Sequence, residues 1–190
     1  MGSELFTEIM YLPPIHLWEA AAQKGSWSID AAEHYHKRSF RNSCLILTSA
    51  GLQLLTIPVC KGKTNALIRD VAISYDEPWP VKHLRAIQTA YGKSPCFIHF
   101  FPELESILMK RHSWLWDLNM ELITWIQSTG IVESFEVLIQ DKQEDRQYHI
   151  PLIDRSNYQQ FMVTPYIQLF SPTTFIHNLS ILDKLFQDCV

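Results

Sequence analysis

Prolines and glycines cut this chain into segments that are each the length of one strand or one helix. The two kinds alternate, and that alternation limits the fold more than any other feature. Pro13-Pro14 ends an apolar stretch that closes on Met10-Tyr11-Leu12, because proline offers no N–H to a sheet ladder. Residues 15–23 then read as a helix, with Pro14 in its first turn and Gly25 placed to stop it. Residues 44–48 and 53–60 are β-branched and apolar around Ser49-Ala50-Gly51, the pattern of a β-hairpin. Residues 67–75 alternate loosely and predict a third strand.

Pro78-Trp79-Pro80 opens a second helix, whose period runs through Leu84, Ile87, Ala90 and Tyr91 and stops at Gly92. Residues 96–101 form an apolar run that reads as a strand. Pro102 is expected to start a long helical region reaching about residue 129, where Gly130 stops it. A strand over 134–139, a charged loop over 141–145, a strand over 158–168 and a helix over 179–187 capped by Asn178 complete the reading. Strands interleaved with helices, one hairpin among them, predict a single mixed α/β domain over residues 1–190.

With 47% hydrophobic residues the chain has the means to bury a core. Its longest apolar runs, such as 54–60, fall far short of the ~20 residues that span a bilayer. The first eight residues hold two acids and no base, the reverse of a secretory signal. A soluble, cytoplasmic protein is expected. The four cysteines, Cys44, Cys60, Cys96 and Cys189, include no CxxC pair, so zinc spacing is absent and reduced thiols are expected. No GxSxG elbow, HExxH helix or P-loop is present. No metal and no cofactor is expected.

Charge is distributed unevenly. Between His34 and Arg69 there are six basic residues (Lys37, Arg38, Arg41, Lys61, Lys63, Arg69) and no acid, in a chain of 16 basic and 20 acidic side chains. Such asymmetry favours an anionic partner. Lys37, Arg38 and Arg41 offer charge-assisted donors to phosphate or carboxylate, and Asn42 a neutral one. The alternative is a solvated run whose charges pair with the acidic remainder. On the second helix Trp79, His83, Ile87 and Tyr91 recur every four residues and share one face. His83 there is either a general base near neutral pH or a core histidine with a satisfied bond. Lys82 lies beside it.

The segments Tyr11 to Pro14 (YLPP), Tyr35 to Cys44 (YHKRSFRNSC), Leu55 to Val59 (LTIPV), Asp70 to Phe97 (DVAISYDEPWPVKHLRAIQTAYGKSPCF), Leu118 to Ile126 (LNMELITWI) and Asn178 to Phe186 (NLSILDKLF) stand in this order. Together they resemble the WbqC-like family of bacterial proteins over nearly the whole chain. The resemblance implies an association with surface-polysaccharide (O-antigen) genes and transferase activity. It also places Tyr11, Arg41, Asn42, Trp79, Lys82, His83 and Tyr91 inside family motifs.

Two functions are therefore expected. The first is a transferase of acyl, aminoacyl or glycosyl type. Lys37, Arg38, Arg41 and Asn42 would bind its anionic donor (a nucleotide sugar, a CoA thioester or an aminoacyl carrier), with Trp79 and Lys82 as further substrate contacts. His83 would be the base, and Tyr11 or Tyr91 a hydrogen-bond donor. The second is a non-catalytic module that binds an anion or a protein partner. With a net charge of −4, nucleic acid is not the expected partner.

Overall fold

The computed structural model describes residues 4–62, 65–141, 163–170 and 174–188. In chain order the elements are β1 (Leu5–Thr7), α1 (Ile15–Lys24), β2 (Ser26–Asp30), β3 (Ser43–Thr48), β4 (Gly51–Thr56), a 3-10 turn (Ile68–Asp70), α2 (Trp79–Tyr91), α3 (Phe97–Met109), α4 (Leu115–Ser128), β5 (Glu136–Gln140) and α5 (Ile181–Gln187). The fold is mixed α/β, as expected.

β2 is the centre of a three-stranded parallel sheet in the order β1-β2-β5. Trp27 is the Cα partner of Leu5 on one side and of Val137 on the other. A parallel pair needs a crossover, and α1 supplies the one between β1 and β2. The helix ends where Gly25 adopts φ 78° and its N–H bonds the carbonyls of Ala21 and Ala22. A Cβ at Gly25 meets no atom within 4 Å, so Gly25→Ala isolates the cost of the left-handed backbone. We expect a loss of about 1 kcal/mol in urea unfolding.

The β2 segment Ser-Trp-Ser-Ile-Asp had no predicted role, because its polar residues mask the alternation. Trp27 and Ile29 are fully buried. Trp27 meets Trp18 edge-to-face at 5.3 Å. Both indole donors are satisfied, Trp27 Nε1 by Thr7 Oγ1 at 2.8 Å and Trp18 Nε1 by the Pro13 carbonyl at 3.2 Å. The hairpin β3–β4 forms as expected, with Thr48 opposite Gly51.

Several expectations need correction. Residues 96–101 are not a strand: α3 begins at Phe97 and carries Pro102 inside it. A short apolar run does not separate strand from helix by period; Phe97 and Phe101 stack at 4.4 Å one turn apart. The long helical region is two helices, separated by Arg111 at φ 58°. Residues 67–75 join no ladder. They make a 3-10 turn and then single bridges to Val59 and Trp114, and the Val71 carbonyl takes the Leu115 N–H that starts α4. Ser180, not Asn178, caps α5 by accepting from the Leu182 N–H.

Of the predicted strand over 158–168, residues 158–162 lie outside the described residues, as does the predicted loop beyond Asp141. Residues 163–168 have no regular structure. There the Gln168 side chain replaces a ladder: its Nε2 donates to the Ile176 carbonyl at 2.8 Å and its Oε1 accepts from the Ile176 N–H at 2.9 Å. Cys44 and Cys60 are free thiols. Cys96 is disulfide-bonded, against the expectation of reduced thiols throughout. Among the described residues no helix is long and apolar enough to cross a membrane.

Candidate functional site

The turn from β1 into α1 lies beyond the carboxyl end of a parallel strand, where open α/β sheets place their ligands. It is built from Glu8 to Pro14 and is buried throughout. Leu12 adopts φ 45°, a backbone that costs a leucine about 1–2 kcal/mol. Pro13 and Pro14 follow it, so the turn is rigid as well as strained. Strain of this kind concentrates at functional turns.

Two side-chain networks meet on this turn. In the first, the Tyr11 hydroxyl lies 3.0 Å from His83 Nδ1, and His83 Nε2 lies 3.2 Å from the Thr56 carbonyl. A carbonyl only accepts, so Nε2 carries the imidazole proton and Nδ1 accepts from the Tyr11 O–H. Burial pushes the His83 pKa down to about 4 and the Tyr11 phenol well up. The pair is therefore neutral at physiological pH. Trp79, one helical turn before His83, stands edge-on to the imidazole at 5.0 Å. Its own Nε1 is buried with no partner among the described residues.

In the second network, Arg41 Nε and Nη2 both donate to Glu33 Oε2, the former at 2.8 Å. Both residues are about 1% exposed. Glu33 Oε1 accepts from the Ile9 N–H at 2.9 Å, which pins the β1–α1 turn. Burial pushes the Glu33 pKa up to about 8 against the pull of the Arg41 guanidinium. Glu8 is raised too, first by burial, with Arg41 opposing. Arg41 Nη1, Glu8 Oε1 and Asn119 Oδ1 are buried without partners among the described residues. Asn119 Nδ2 holds the Arg41 carbonyl at 2.9 Å. Orphaned buried polar atoms are rare enough to mark a site or an ordered water.

The networks share a wall. The Tyr11 N–H bonds the Phe40 carbonyl, and Asn42 bonds Ile57 twice: Asn42 Nδ2 donates to the Ile57 carbonyl, and the Ile57 N–H donates to the Asn42 carbonyl, both at 2.8 Å. Residue 57 follows the Thr56 that holds His83. The structure thus gathers Tyr11, His83, Trp79, Arg41 and Asn42 around one strand end. Lys37 and Arg38 are exposed on the preceding turn, where Arg38 takes φ 62°. Lys82 is exposed and paired with Glu77 at 2.6 Å. Tyr91 stands apart, accepting from the Leu47 N–H at 3.3 Å and bonded to Asp183.

Sequence reasoning overlooked Glu8, Glu33 and Asn119. Glu33 had a signal: it is the residue immediately before the acid-free stretch. Among the described residues no cluster of His, Cys, Asp or Glu is arranged to hold a metal ion.

These features define an α/β protein whose buried polar networks converge on the first strand-to-helix turn. The chain belongs to the WbqC-like protein family, which matches residues 9–150. The uncharacterized protein Rv1507c of Mycobacterium tuberculosis is 33% identical over 119 residues, 59% of this chain and 51% of that protein. The chain thus aligns with about half the length of that relative. No solved structure matches.

Proposed function

We propose that this WbqC-like protein is a cytoplasmic transferase. It moves an acyl, aminoacyl or glycosyl group from an anionic activated donor to an amine or hydroxyl, in bacterial surface-polysaccharide metabolism. The observation that carries this reading is the Tyr11–His83 pair. With Nε2–H committed to Thr56, the Nδ1 lone pair faces the Tyr11 O–H, an arrangement that draws a proton in one direction. As the acceptor's N–H or O–H bonds to the transferred carbon, its proton passes to the Tyr11 oxygen and the Tyr11 proton passes to Nδ1. The donor's leaving group departs with the electrons of the broken bond.

In this reading the exposed Lys37 and Arg38 meet the anionic part of the donor: a nucleotide sugar, a CoA thioester or an aminoacyl carrier. Arg41 holds an oxygen through Nη1, which has no partner among the described residues, with Asn42 fixing the backbone beside it. Trp79 orients the imidazole, Lys82 extends the cationic rim, and Tyr91 supports the far end of α2. The test has two stages. A thermal-shift panel of nucleotide sugars and CoA thioesters identifies the donor. With that donor, His83→Gln and Tyr11→Phe are each expected to lower kcat by about 10²–10⁴-fold. Turnover within about threefold of wild type in His83→Gln removes the proton relay, since general acid–base catalysis supplies more than that.

A second reading has its own observation. Tyr11 is 0% and His83 5% exposed, and both imidazole nitrogens are already bonded. A non-catalytic module that binds an anion or a protein partner needs no access to them. Indifference to every small ligand, combined with capture of a defined envelope-assembly protein, would favour it.

A further inference from the structure

A cavity of 220 Å³ opens where residues 75–81 face the end of α3. Pro78, Pro80 and Met109 give it apolar walls, and Asp76, Glu77 and Arg111 give it charge. The Arg111 guanidinium stacks 4.8 Å from the centre of the Tyr75 ring. That ring is anchored, because the Tyr75 hydroxyl donates to the His112 carbonyl at 2.9 Å. Stacking occupies the face of a guanidinium and leaves its N–H edge for a carboxylate.

Arg111 makes no ion pair among the described residues, and neither does Asp76. Among the described residues Asp76 accepts only the Ser74 hydroxyl, at 2.8 Å, and the Ser74 oxygen in return takes the Asp76 N–H. Glu77 holds Lys82 on the outer side. A cation and an anion, each without an ion pair among the described residues, thus line one small space without reaching each other. A phosphate would gain Arg111 but face two carboxylates. A neutral ligand would leave both charges uncompensated. The complement is a small zwitterion, with its carboxylate on Arg111, its ammonium on Asp76 and its side chain against Pro78, Pro80 and Met109. The volume is below the ~300–1,000 Å³ usual for drug-sized ligands.

The geometry points to this cavity as a binding site for a free α-amino acid with an apolar side chain. Tyr75 contacts Trp79 at 5.8 Å, and Trp79 contacts His83 at 5.0 Å. The amino acid would therefore sit across Trp79 from the Tyr11–His83 pair. As the acceptor subsite of a transferase the cavity rests on the reading above. As a binding site it does not.

The test is calorimetric titration of the full chain with L-alanine, L-valine and L-leucine. The best of the three is then compared with its N-acetyl derivative, which lacks the ammonium, and its methyl ester, which lacks the carboxylate. Saturable millimolar or tighter binding is expected, weakened about tenfold or more by either block and by Arg111→Met or Asp76→Asn. Both side chains are exposed, so these variants leave the core intact. His83→Gln is expected to keep the affinity, so a failed relay and a failed cavity give different results. The assignment is overturned if none of the three amino acids binds, if the N-acetyl derivative binds equally well, or if Arg111→Met binds like wild type.

Discussion

Arg41→Leu is expected to destabilise the protein by about 3–5 kcal/mol at pH 8, the cost of removing one partner of a buried ion pair. The loss is large because Glu33 keeps its burial and its bond to the Ile9 N–H while losing the guanidinium that offsets its charge. Urea unfolding monitored by circular dichroism reads it directly. Glu33 is already raised to about 8 by burial, and without Arg41 it rises further. Above pH 8 the folded variant then holds a proton that folded wild type has lost, so its penalty should narrow as pH falls towards 8 and level off below it, where Glu33 is protonated in both folded proteins. A penalty below about 1 kcal/mol at pH 8 would place Arg41 in solvent rather than against Glu33.

The double variant Glu33→Gln/Arg41→Met makes the same point from the other side. Glutamine keeps an oxygen for the Ile9 N–H, and methionine fills much of the space of the arginine stem. Neutral replacements of a buried pair are often close to neutral in stability, so most of the single-variant loss should return. If the double variant also keeps ligand binding, the pair only holds the turn. If it folds but binds no donor, Arg41 Nη1 acts on the ligand.

The Glu33–Arg41 pair also shows where sequence reading reaches and where it stops. Counting charge from His34 onward gave a basic stretch with no acids, yet the partner of Arg41 lies one residue outside that window. A net charge over a segment says nothing about burial, and burial converts a would-be anion grip into an internal contact. Tyr11 and His83, by contrast, were each legible from local pattern: one from the YLPP turn, the other from a four-residue stripe. Their approach to 3.0 Å was not. It depends on the Tyr11 N–H bonding the Phe40 carbonyl and on the Thr56 carbonyl at the end of β4 holding His83, contacts between segments far apart in sequence. Arg111 was illegible for a related reason. It lies in the break between α3 and α4, which the apolar period bridged as one helix. Its stacking partner Tyr75 sat in a stretch that was read as a strand.

The second large effect concerns acid. His16 and His83 are both buried, and burial lowers each to about 4 from 6.5. Between those values the unfolded chain binds protons that the folded chain refuses, so stability falls as pH drops from 6.5 towards 4. From pH 7 to pH 4.5 each histidine should remove about 2.5 kcal/mol, and the two together about 5 kcal/mol. Two carboxyls act in the opposite sense. Burial raises Asp183 to about 6 and Glu33 to about 8. Their folded forms hold protons that the unfolded chain has lost, so their contribution grows as pH falls through the same range. The wild-type profile should therefore be shallower than the histidines alone dictate.

Removing the histidines unmasks the carboxyls. His16→Gln/His83→Gln should be less stable than wild type at pH 7, where it loses well-packed neutral imidazoles. By pH 4.5 it should close about 5 kcal/mol of that difference, because it no longer has to refuse two protons. Urea midpoints at pH 7, 5.5 and 4.5 for the two proteins test this. A gap that stays constant with pH would mean that both imidazoles titrate in the folded protein as they do in water. His83 would then be open to solvent, and the Tyr11 hydroxyl would have no neutral acceptor to lean on.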